Sequence, residues 1–61
     1  MATITDVKDE GLIVEVDGVE YVVNPYDASA SVCWYATMEV EISGSKLTNK
    51  ATGQTIRVSL A

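Results

Sequence analysis

A chain of 61 residues makes one small domain, 1–61, and a domain of that size hides only about 60% of the surface its unfolded form exposes, so its core is near the minimum for independent folding. A net charge of −5 with only Lys8, Lys46, Lys50 and Arg57 as bases argues against duplex nucleic acid as a partner, because backbone binding needs clustered cations. The absence of histidine and the single cysteine, Cys33, remove the commonest metal ligand, the commonest general base and any internal disulfide.

Thr3 to Val7 alternates β-branched and polar residues and reads as a first strand, ended by the turn Lys8-Asp9-Glu10-Gly11, where Gly11 can take a positive φ. Leu12 to Asn24 is the clearest local signal: two apolar runs separated by Asp17-Gly18, the pair suited to a two-residue type I′ hairpin. That register sets Val16 against Val19, Val14 against Tyr21 and Leu12 against Val23 on one side, and Glu15 against Glu20 and Ile13 against Val22 on the other.

Asn24-Pro25-Tyr26-Asp27 matches a helix start, with Asn24 as cap and Pro25 in the first helical position. The Ala-Ser-Ala-Ser that follows allows one helical turn. Val32 to Ser43 then alternates with period two, placing Val32, Trp34, Ala36, Met38, Val40 and Ile42 on one face, and is expected to form one long strand with that face inward. At ~3.3 Å per residue such a strand would run to roughly 40 Å, so it must bend or carry a bulge. Gly44-Ser45 turns the chain, Lys46 to Thr48 reads as a short edge strand, and 49–53 as a loop with Gly53 in the left-handed region. The last strand, Gln54 to Leu60, alternates again, with Ile56, Val58 and Leu60 inward. Lys46 and Arg57 are then the kind of charge that guards an exposed edge.

This order predicts an all-β fold: a small five- to six-stranded antiparallel barrel, OB-like or SH3-like in architecture, with at most one short helical turn. Such folds host unrelated functions, so the architecture assigns none. Met1 begins the chain without a charged leader and apolar segment, and no run approaches the ~18 apolar residues of a membrane span. The expectation is a soluble protein of the cytoplasm, or of a virion or host cytoplasm if viral, with no membrane partner.

The residues also speak against catalysis. Cys33 has no histidine to activate it, and Glu39 and Glu41, two apart on a strand, suit solvated carboxylates. The four glycines stand singly at turns, no metal-ligand spacing is present, and no cofactor is expected. Three functions in different classes remain. The favoured one is a non-catalytic interaction module that docks on another protein or on itself through Ile13 and Val22, the acidic margin Glu15, Glu20 and Asp17, and the aromatics Tyr26 and Tyr35. The second is an acidic decoy that blocks a basic nucleic-acid-binding surface of a cellular factor, because residues 1–30 hold seven acids against Lys8. The third is an OB-like ligand or single-strand binder using Trp34 and the tyrosines as stacking platforms, although an inward Trp34 and the missing basic groove count against it.

Overall fold

The computed structural model describes residues 2–61. Six antiparallel strands close into a barrel in the order β1-β2-β3-β6-β5-β4. They are β1 (Ala2–Lys8), β2 (Ile13–Val16), β3 (Val19–Val23), β4 (Glu39–Ser43), β5 (Lys46–Asn49) and β6 (Thr55–Leu60), with one α-helical turn, α1 (Ala28–Ser31), between β3 and β4. The chain is thus two three-stranded meanders, β1-β2-β3 and β4-β5-β6, joined at two seams. The β3–β6 seam pairs Tyr21, Val22 and Val23 with Leu60, Ser59 and Val58, whereas among the described residues the β1–β4 seam pairs Ala2 and Thr3 with Val40 and Glu39.

The Asp17-Gly18 hairpin has the predicted register, with Ile13 opposite Val22, Val14 opposite Tyr21, Glu15 opposite Glu20 and Val16 opposite Val19. Asp17 and Gly18 both have positive φ, the type I′ geometry whose twist matches that of the strands. Leu12 lies outside the strand, held by the Val23 N–H on its carbonyl at 2.7 Å, and is partly exposed. Ile4, Val14, Val16, Val23, Trp34, Val40, Leu47, Ile56 and Val58 form the core.

The long strand over 32–43 does not form. Strand β4 covers only its last five residues; Val32 and Trp34 donate backward to Ala28 and Ser31, and Met38 to Tyr35, in the local pattern of turns. The reason is size, because the molecule measures 25 × 21 × 21 Å and a ribbon of roughly 40 Å does not fit. Trp34 is buried (3% exposed) and Val40 is buried, as the alternation implied, but Val32, Ala36 and Ile42 are exposed. The bulge expected here sits instead in β1, which pairs with both β2 and β4, where Thr5 is the extra residue between the pairs Ile4–Val16 and Asp6–Glu15.

Two further expectations change. The helix starts three residues late, at Ala28, because Asn24 caps a turn instead: its Oδ1 accepts the Tyr26 N–H at 2.9 Å and its carbonyl the Asp27 N–H at 2.8 Å. Strand β5 is no edge, since it pairs with both β4 and β6, so Lys46 and Arg57 guard none.

The two ends of the barrel differ. At one end the 3-10 turn Asp9–Gly11 packs on α1, and Trp34 enters the core, its indole N–H donating to Gln54 Oε1 at 3.0 Å. Gly11 is required there: at φ +91° a Cβ would lie 2.6 Å from the Val32 nitrogen and 2.8 Å from the Ala28 carbonyl oxygen. The buried Ser31 hydroxyl fastens this contact by donating to the Gly11 carbonyl at 2.6 Å. The other end carries the two hairpin turns, the start of β1 and the end of β6. Val19, Ile42 and Leu60 point inward by register there, yet all three are exposed, Leu60 by 70%.

Candidate functional site

The hairpin register builds a continuous row on the outside of the barrel: Lys8 opposite Ile13, Ile13 opposite Val22, and Val22 opposite Ser59. Beside it runs a second row, Asp6 opposite Glu15 and Glu15 opposite Glu20. Like charges directly across a strand pair are unfavourable by some tenths of a kcal/mol. Lys8 relieves them, with its ammonium 2.6 Å from Glu20 and 3.8 Å from Glu15. The hydrogen bond to Glu20 raises the Lys8 pKa, and the charge of Glu20 adds to it. The bulge supplies a second relief, because it turns Thr5 outward and lets its hydroxyl donate to Glu15 Oε2 at 2.7 Å.

Between these charged groups Ile13 is half-buried and Val22 is 42% exposed. From Val22 the surface continues into a shallow cleft of about 360 Å³ over the β3–β6 seam, lined by Asn24, Pro25, Ser45, Arg57 and Ser59 among others. Arg57 is held at its rim by Asp27, whose Oδ2 accepts both the Arg57 backbone N–H and its Nε–H at 3.0 Å. These two bonds, the side-chain one first, lower the Asp27 pKa, while the same side-chain bond raises that of Arg57.

The seven residues singled out from sequence do not converge. Ile13, Val22, Glu15 and Glu20 share the outer face of β2 and β3. Asp17 instead serves its own turn, accepting the Thr3 N–H on Oδ1 at 3.3 Å and so tying the hairpin to β1. Tyr26 stands in solvent (88% exposed) on the turn before α1. Tyr35, also exposed, borders a different cleft with Thr37, Met38, Glu39, Lys50 and Ala51. Thr37 in that cleft has φ +82°, an uncommon conformation for a β-branched residue.

Sequence reasoning missed Ser45, Arg57 and Ser59 as neighbours of Val22 around one cleft, because that adjacency exists only across the β3–β6 seam. It also missed the buried Asn49, assigned to a loop, which closes β5 by accepting the Ala51 and Thr52 N–H groups on Oδ1 at 2.8 and 3.2 Å. An Asn ahead of a glycine-terminated turn is the signal that could have found it. Among the described residues no cluster of three His, Cys, Asp or Glu could hold a metal ion, and no helix is long and apolar enough to cross a membrane. Trp34, being buried, offers no stacking platform on the outer surface. No protein-family model, curated protein or solved structure matches this chain.

Proposed function

We propose that the chain is a non-catalytic interaction module that docks on a protein partner through the outer face of the β2–β3 hairpin. The observation that carries this reading is the row Lys8–Ile13–Val22–Ser59, with its apolar middle, its charged flank and its continuation into the cleft over the β3–β6 seam. An apolar centre ringed by polar groups is the ordinary anatomy of a protein interface. The decoy reading has less support, since Lys8 already neutralises part of the acidic row that would have to imitate phosphates.

The test is capture of partners from source-cell lysate by the immobilised chain and by its Val22→Lys variant. Val22 is outward and partly exposed, so the variant is expected to unfold cooperatively within about 1 kcal/mol of wild type. It should lose the proteins that wild type retains. Identical capture by a folded Val22→Lys chain would refute docking at this face. Sedimentation of both chains over a wide concentration range separates a foreign partner from a second copy.

A further inference from the structure

Lys46 and Arg57 face each other directly across β5 and β6, both outward and exposed. Two cations in that register repel one another by some tenths of a kcal/mol. Arg57 has Asp27 as counter-charge, whereas Lys46 has no carboxylate partner among the described residues. The pair occurs in a chain with more than twice as many acids as bases; its Arg57 lines the cleft that continues the Ile13–Val22 row, and Lys46 stands one strand farther from the β3–β6 seam. Inside that cleft Val22 and Pro25 offer apolar surface, and Ser45 and Ser59 offer hydroxyls.

We infer that the partner of this face is an acidic peptide segment, which sets an apolar side chain against Val22 and Pro25 and a carboxylate over Lys46 and Arg57. The inference rests on the docking face proposed above and names the chemistry that fits it. Asp27 engages the Nε–H and backbone N–H of Arg57 and so fixes its side chain at the cleft that it lines. A carboxylate arriving there would receive charge-assisted hydrogen bonds, about twice as strong as neutral ones. It would also relieve the repulsion between the two cations. A basic segment meets the opposite situation at this rim.

The probe is a library of short random peptides displayed on phage and selected against the immobilised full chain, followed by affinity measurement of the enriched peptides. The expected result is enrichment of Asp or Glu beside a bulky apolar residue. Binding should weaken with salt and fall by roughly tenfold in Lys46→Glu, about 1.4 kcal/mol. Lys46→Met, which keeps the aliphatic stem, should show a smaller loss, and Val22→Lys should abolish binding. Enrichment of Lys- or Arg-rich peptides, peptides without charge bias, affinity unchanged in Lys46→Glu, or no enrichment at all would each overturn the acidic-peptide inference. If those peptides or lysate proteins are nevertheless lost in Val22→Lys, the docking face itself stands; indifference to Val22→Lys refutes both.

Discussion

The two ends of this barrel reach opposite outcomes. At the helical end, Trp34, Gly11 and Ser31 are buried and the polar side-chain atoms of Trp34 and Ser31 are paired. At the hairpin end, Val19, Ile42 and Leu60 point into the barrel by register and remain exposed, beside a cleft of about 260 Å³ lined by Tyr21, Gly44, Ser45, Val58, Ser59 and Leu60. Register decides which way a side chain points. Burial depends on whether another element lies across the end, and α1 with its following loop covers only one. Stability should therefore concentrate at the helical end, leaving the opposite end and the outer hairpin face tolerant of change.

The sharpest way to break that contrast is Trp34→Ala, expected to cost about 3–5 kcal/mol, enough to unfold a domain this small. Leu60→Ala, at the other end, should stay within about 0.5 kcal/mol. Equal losses in urea denaturation would show that the two ends are equally packed. Next comes the glycine pair. Gly11→Ala drives a Cβ into the backbone of α1 and should cost on the order of 3 kcal/mol or more, while Gly44→Ala, with nothing within 4 Å of its Cβ, should cost only the left-handed strain of about 1 kcal/mol.

Ser31→Ala removes the hydroxyl that satisfies the Gly11 carbonyl and should lower stability by roughly 1–3 kcal/mol. Thr37→Gly relieves the positive φ of a β-branched residue and is expected to raise the melting temperature by several degrees, a gain of about 1 kcal/mol; no gain would mean that the threonine side chain repays its strain.

The smallest effect is that of pH. Asp27 has a lowered pKa, so its pairing with Arg57 stabilises the fold above the usual carboxylate range and is lost as pH falls through its folded pKa, below about pH 4. Lys8 has a raised pKa, so its contribution is complete at neutral pH and fades only as pH rises past the ordinary lysine value. Asp27→Asn should flatten the acid limb of the stability curve, and an unchanged limb would assign acid sensitivity to other carboxylates.

The proposed docking face was half legible before the fold was known. A two-residue turn chemistry and an alternating pattern fix the hairpin locally, and with it the Ile13–Val22 and Glu15–Glu20 pairs. The sharing of Lys8 by two carboxylates, the tie of Asp17 to Thr3, and the approach of Arg57 and Ser59 to Val22 all needed contacts between strands separated in sequence. Residues 32–43 show the opposite failure. Their alternation is genuine in Trp34 and Val40, but a barrel smaller than the implied ribbon forces the chain to turn, and Thr37 takes the left-handed conformation where it does.

By itself the sequence determined the all-β class, the Asp17-Gly18 hairpin with its register, the inward Ile56 and Val58, and the acidic bias of the first meander, because each follows from interactions within a few residues. Tertiary structure decided where α1 begins, which barrel end it closes, which inward residues stay wet and which cations face each other across β5 and β6. Those outcomes depend on how β1 meets β4, how β3 meets β6, and how Ser31 reaches Gly11 across the fold, and no local pattern encodes such meetings.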